Sequence, residues 1–370
     1  MDVILGFGPA HDRLFAAALR GLGRSAEAAA PPDDGDLALG RRLMPRGHPS
    51  AMYYLAGAAA RHAGPRPDRR FVVPGDRCGG YASDLARALV DAGVPGAAVL
   101  ALAPERATSL WRDLELDPGR AAPALAEAVA VGDVLDAAAA RARLADVAAE
   151  RAVDAALADA ERALTAGASA EGALRRHAAA LSPGAPPRAR VRLTGELLAT
   201  RYDRAVGAGL ARWLAARGVA AEAPTLTEWL LYAAWRAASD GAVLASTQRA
   251  LLDALRRAAE TAGVAPPSPI DPAAWADAAR RWLPVSLCAG SGFMELATWL
   301  AVDRDRDADL VLSLKPFASI TSSAASDAVI QTLARGAATP FLALELNGDL
   351  QAQLESRLEL ALQVALWSPP

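Results

Sequence analysis

Residues 309–327 read DLVLSLKPFASITSSAASD, and they constrain the fold more than any other stretch of the chain. A short apolar run at 310–314 leads to Lys315, Pro316 and Phe317, and a loop of small, hydroxyl-bearing residues then opens the next periodic segment. A run of that length fits a strand buried on both faces, and Ser or Thr ahead of a periodic segment fits a helix start. The stretch therefore predicts a parallel strand whose C-terminal end opens onto a helix N-terminus. In open α/β sheets, ligands bind in the crevice beyond such strand ends. The same hydroxyls would serve equally as ordinary helix caps.

The pattern recurs along the chain. Strands are expected over 3–6, 25–29, 70–73 and 97–103, with helices over 12–22, 50–63 and 83–92 between them and Ser50 as a cap. Such alternation predicts a parallel sheet flanked by helices. From 121 to 180 the chain turns Ala-rich with scattered Arg, Asp and Glu, which predicts helices with solvated faces, broken at 165–167. Ser182-Pro183-Gly184-Ala185-Pro186-Pro187 marks a boundary. Beyond it strands are expected at 190–194, 219–222, 310–314 and 341–346, and helices at 202–217, from 228, at 246–263, 272–282 and 292–302, from 326 and at 350–366. The expected fold class is α/β: two parallel-sheet domains, 1–115 and 188–370, joined by a helical segment, 116–187. A chain of 370 residues fits two cores better than one.

Composition narrows the function classes. The net charge is −3 and the arginines are dispersed, so nothing in the sequence asks for nucleic acid. No run approaches the ~18 apolar residues of a membrane span. The opening Met1-Asp2-Val3-Ile4-Leu5 has an acid where a signal peptide has a base, so a cytoplasmic location is expected. Gly6-Phe7-Gly8 is followed by Pro9 and Ala10, which departs from the dinucleotide-binding fingerprint. The only cysteines are Cys78 and Cys288, too few for the three or four thiolates of an iron-sulfur cluster. Both are expected as small, buried apolar groups. His11, His48, His62 and His177 are dispersed, which leaves a zinc site unsupported and predicts surface or loop positions for them.

A set of short signatures then occurs in a familiar order. Val191-Arg192-Leu193-Thr194-Gly195-Glu196 comes first, followed by Glu228-Trp229 with Tyr232, then Leu314-Lys315-Pro316-Phe317, then 341–348, then Ser356-Arg357-Leu358. In the first half stand Gly40-Arg41-Arg42, Gly47-His48-Pro49 with Gly57, and residues 75–81. Together they resemble the 2-hydroxyacyl-CoA dehydratase and benzoyl-CoA reductase superfamily, most nearly the branch of acyl-CoA dehydratase activase-related proteins. The resemblance implies two flavodoxin/Rossmann-like domains with a 4Fe-4S cluster between them, held by cysteines from three loops. It also implies an ATP-driven activator and an acyl-CoA thioester reduced to a ketyl radical. Carried over residue by residue, the three ligand positions fall at Gly47, Asp76 and Ser319. Glycine has no donor atom, and Asp and Ser are hard oxygen ligands poorly matched to an iron-sulfur core. The expected cofactor is therefore none.

What remains of the implied cleft is Lys315, Ser319, Thr321 and Ser322, suited to an anion at a helix start, with Arg77 and Tyr81 beside them. Glu196 ends a strand, as a base or as a partner of Arg201 or Arg204. His48 and Asp76 would form an acid–base pair if their loops met. The resemblance then implies an accessory or regulatory subunit that binds a cysteine-containing paralogue or a second copy, with an acyl-CoA-type anion in the cleft. The alternative is an enzyme with cluster-independent chemistry on a CoA thioester.

Overall fold

Among the described residues eight short strands form two separate four-stranded sheets, all parallel, and the two sheets have the same order of strands. The computed structural model describes residues 1–64, 69–75, 80–94, 98–102, 111–181, 186–204, 206–237, 241–267, 271–285, 290–316, 326–346 and 351–367. In the first half β1 (Asp2–Ile4), α1 (Pro9–Gly21), β2 (Ala26–Ala28), α2 (Asp34–Leu43), α3 (Ser50–Ala63), β3 (Arg70–Pro74), α4 (Gly80–Asp91) and β4 (Ala98–Leu102) give the order β2-β1-β3-β4. Four helices follow: α5 (Pro118–Ala145), α6 (Val147–Thr165), α7 (Glu171–Arg176) and α8 (Ala178–Leu181).

The second half begins with β5 (Ala189–Gly195), α9 (Leu197–Arg201), α10 (Leu210–Ala215), β6 (Val219–Glu222) and α11 (Leu226–Ala237). It continues through α12 (Gly241–Ala262), α13 (Pro272–Ala279), α14 (Gly292–Asp305), β7 (Leu310–Pro316), α15 (Ser326–Ala334), β8 (Phe341–Leu346) and α16 (Gln351–Trp367). Its sheet runs β6-β5-β7-β8. Each sheet thus reverses direction once, between its first and third strands, and that is where a crevice opens in this topology.

One apolar cluster draws on both sheets: Val3, Leu5, Phe71 and Val73 belong with Val191, Leu193, Leu310, Leu312 and Leu314. A second joins α1 to the helical segment and to α12. Here the structure departs from the solvated helices expected over 121–180. Every residue of α5 from 128 to 135 is buried, including Asp133. A helix apolar on all sides belongs in a core, and the charges that suggested solvent lie at its ends and on α6.

Three smaller differences have local causes. Of the expected helix over 202–217 only α10 is helical among the described residues, because Ala208 and Gly209 have φ of +56° and +73° and the helix starts after them. α2, absent from the expected elements, begins at Asp34 because Asp33 and Asp36 form a reciprocal capping box at 3.0 Å each way. Ser50 does not cap α3; its hydroxyl donates instead to the carbonyl of Leu346, 2.7 Å away at the end of β8, and so ties the two halves.

The signature glycines Gly40 and Gly57 have a packing role. A Cβ on Gly40 would collide with the carbonyl oxygen of Tyr53, and one on Gly57 with that of Asp36, so α2 and α3 touch backbone to backbone there. Gly57→Ala is expected to destabilise the fold by about 1–3 kcal/mol, the usual cost of overpacking, read as a lower urea midpoint at unchanged slope.

Candidate functional site

The turn from β1 to α1 reads Leu5-Gly6-Phe7-Gly8-Pro9, with φ of +107° at Gly6 and +111° at Gly8, where side chains are strained. A Cβ on Gly8 would lie 3.3 Å from Cβ of Arg201, so the turn presses on α9. The Gly6 amide donates to the phenol oxygen of Tyr202 at 2.9 Å, and the Phe7 amide donates to Asp12 Oδ1 at 3.0 Å. The Tyr202 hydroxyl donates to Asp12 Oδ2. The amides that such a turn would offer a phosphate are engaged by the protein's own groups. Burial pushes the Asp12 carboxyl up to about 7 against the pull of Tyr202 and Phe7, and burial together with Asp12 raises the Tyr202 phenol as well.

His11 adjoins this pair and is fully buried, not at the surface. Its ring lies over Gly132 of α5, where a Cβ would sit 2.5 Å from Nε2. Nε2 is 3.2 Å from Asp133 Oδ1 and Nδ1 is 3.4 Å from Asp136 Oδ2. Neither nitrogen is aligned for a hydrogen bond, so the attraction is between charges. Arg201 spans the same two acids, Nη2 at 3.2 Å from Asp133 and Nη1 at 2.9 Å from Asp136. Asp133 also accepts from the Leu226 and Thr227 amides at 2.7 and 3.0 Å, so it caps α11 from another helix. Burial works against the Asp133 carboxylate, yet His11, Arg201 and Thr227 hold it near 2. For His11 burial and Arg201 push down, and the two carboxylates more than offset them, leaving the imidazole raised. Arg201 fills the carboxylate faces that a cation would need, so this set is an ion-pair network rather than a metal site.

Behind Asp133, Thr225 and Glu228 cap α11 reciprocally: the Glu228 amide donates to Thr225 Oγ1 at 3.0 Å and the Thr225 amide to Glu228 Oε2 at 3.4 Å. Arg192 of β5 meets the same carboxylate at 3.2 Å.

The residues expected in the cleft are only partly described. Lys315, at the end of β7, is fully buried and bonded to Asp327 of α15 and, at 3.0 Å, to Glu295 of α14. Glu295 in turn accepts from the hydroxyls of Ser313 and Ser291, each at 2.7 Å. Glu196 begins α9 and accepts from the Ala199 amide at 2.9 Å, while its own amide reaches the Leu314 carbonyl at 2.9 Å. Glu196 and Lys315 thus flank the switch point of the second sheet, and Arg201, one expected partner of Glu196, is taken by Asp133 and Asp136. Tyr81 lies half-buried on α4 against the core that spans both sheets. Gly47 sits exposed between α2 and α3 at φ +96° and offers no donor atom to a cluster. His48 faces Asp84 at 3.3 Å. Asp76, Arg77, Cys78, Cys288, Ser319, Thr321 and Ser322 lie outside the described residues. Of the three positions to which the resemblance assigns cluster ligands, Gly47 is the one described, and it has no donor atom.

Asp12, Asp133, Asp136 and Tyr202 are not singled out by the sequence, which puts His11 at the surface or in a loop and offers Arg201 only as a partner of Glu196. One local signal was present: Asp133 and Asp136 are the only charges between 128 and 140, two acids alone in an apolar helix. Thr225-x-x-Glu228 is likewise a readable capping box.

A scan against models of known protein families found none that matches this chain, and a search of curated proteins found no match. Among the described residues no helix is long and apolar enough to cross a membrane.

Lys315→Ala would leave Glu295 buried beside Asp327 without a cation. Breaking a buried pair in this way typically costs about 3–5 kcal/mol. The expected result is a large loss in the free energy of urea unfolding, with Glu295→Gln added to Lys315→Ala recovering part of it.

Proposed function

We propose that this chain is a cluster-less accessory or regulatory subunit of a 2-hydroxyacyl-CoA dehydratase-like system, pairing with a paralogous chain that carries the cluster cysteines. The observation that supports this reading best is the state of Lys315. The cation expected to greet an anionic thioester is held inside the protein by Glu295 and Asp327. The turn after β1 adds to it, since its Gly6 and Phe7 amides serve Tyr202 and Asp12. Groups that satisfy one another fix a shape, and Tyr202 with the Gly6 amide ties the two halves, which is what a subunit that shapes a complex requires. An acyl-CoA-type anion is the second expectation of the same resemblance, and the loop carrying Ser319, Thr321 and Ser322 is where it would be met.

The test is coexpression with a cysteine-complete paralogue from the same genome, native mass spectrometry of the product, and iron and acid-labile sulfide assays on the lone chain purified without oxygen. A heterodimer with all its iron in the paralogue is the expected result. Stoichiometric iron in the lone chain, lost in Cys78→Ser, would overturn the reading. So would turnover of an acyl-CoA by the lone chain.

A further inference from the structure

Consecutive residues of α1, His11 and Asp12, face two different partners across the junction between the halves. Asp12 meets Tyr202, the residue that ends α9, and shares it with the Gly6 amide. His11 meets Asp133 and Asp136 of α5 and, beyond them, Arg201 of α9. Arg13, the next residue, turns away to Glu161 of α6 at 2.7 Å and takes no part. Glu228 of α11 and Arg192 of β5 form their own pair behind Asp133. His11, Asp12, Asp133 and Arg201 are almost wholly buried, whereas 35% of the Asp136 side chain is exposed, so water has one way in.

The charge balance of this cluster depends on two protons. With His11 and Asp12 both protonated, the two cations His11 and Arg201 face the two anions Asp133 and Asp136. With both protons gone, three buried carboxylates face Arg201 alone. A buried charge left without a partner is strongly unfavourable. The imidazolium also favours the charged form of Asp12, so an ionised Asp12 is costlier once His11 has lost its proton. Gly132 fixes the contact, because only a residue without Cβ lets the ring approach α5.

We propose that this junction is a protonation-gated latch between the two halves, closed while His11 and Asp12 carry protons and loosened as the surroundings turn from mildly acidic to alkaline. Asp12 gives the direction. Burial raises it from 3.8 to about 7, so the closed form keeps a proton that an opened form would release. The Asp12 contribution to closure is then complete below pH about 4 and is lost as pH climbs toward 7. His11, raised above its ordinary 6.5, continues the same loss above neutrality. Asp133, held near 2, acts in the opposite sense and only below about pH 4.

Amide hydrogen exchange on the full chain at pH ~5 to ~8.5, corrected for the intrinsic rate, tests the latch. The probes are the amides of Gly6, Phe7, Leu226 and Thr227, with those of α6 as the control. Protection at the four probes is expected to fall by up to about tenfold per pH unit between ~5 and ~7, the slope set by one proton, while α6 holds level. Asp12→Asn, which keeps an acceptor for the Phe7 amide, is expected to remove the dependence below pH ~6.5. Probes that follow the α6 control across the range would overturn the proposal. Should Asp12→Asn fail to fold, carbon-13 titration of the Asp12 carboxyl in the wild-type chain decides: a midpoint below ~5 overturns the latch, and one near 7 sustains it.

Discussion

Asp133 is met by partners from three separate elements, and the arrangement of the molecule turns on that convergence. His11 comes from α1, Arg201 from α9, and the Leu226 and Thr227 amides from α11. A carboxylate in an apolar helix is tolerable only if its lone pairs are filled, so each of these elements has to be in place together. Pairs of this kind add little net stability compared with apolar packing, but an incomplete set is costly. Their effect is selective. Two α/β halves with identical strand order could lie against each other in several ways, and the network is complete in one of them.

The repeated strand order also explains why the polar groups gather where they do. In each half the switch point lies between the first and third strands, and the chain leaves the first strand through a turn at a helix N-terminus. In the first half that turn is Gly6-Phe7-Gly8; in the second it is Gly195-Glu196. Tyr202, just after the second turn, accepts from the Gly6 amide of the first, and Arg201 packs against Gly8 there while its guanidinium meets α5. The ends that would each hold a ligand in a single sheet of this type are used on one another, and Ser50 with the Leu346 carbonyl repeats the pattern at α3 and β8.

The sheets were legible because their signal is local. Apolar runs such as Phe71-Val72-Val73 and Leu310-Val311-Leu312 have one reading in an alternating chain, and all eight strands fall where the periodicity puts them. The junction was not legible, because Asp12 and Tyr202 are 190 residues apart and Arg201 and Asp133 are 68 apart. Nothing in the neighbourhood of His11 distinguishes a buried histidine from an exposed one. The helical segment was misjudged for a related reason. Most of its charges belong to α6 and the ends of α5, and an average over 121–180 hides the apolar run, broken only by Asp133, that passes through the core. The alternation of strand and helix specifies layers, while the partners of a buried charge are set by how those layers close.

The contrast between the two buried clusters bears on what the strand ends can accept. Around Asp133 two cations face two carboxylates, so the set is balanced. At the end of β7 a single cation, Lys315, faces Glu295 and Asp327, and Glu345 lies close enough to add to the field on Asp327. Burial, followed by those neighbouring carboxylates, pushes Asp327 up despite the opposing pull of Lys315. An anion arriving there would find Lys315 already shared by two acids, and would have to displace one of them into a less polar setting. A lysine at a strand end thus reads as an anion site in the sequence, whereas in the folded chain its carboxylate neighbours make the same position neutral or acidic. The deciding quantity is the balance of charge within a few ångströms, and no single residue of a signature carries that information.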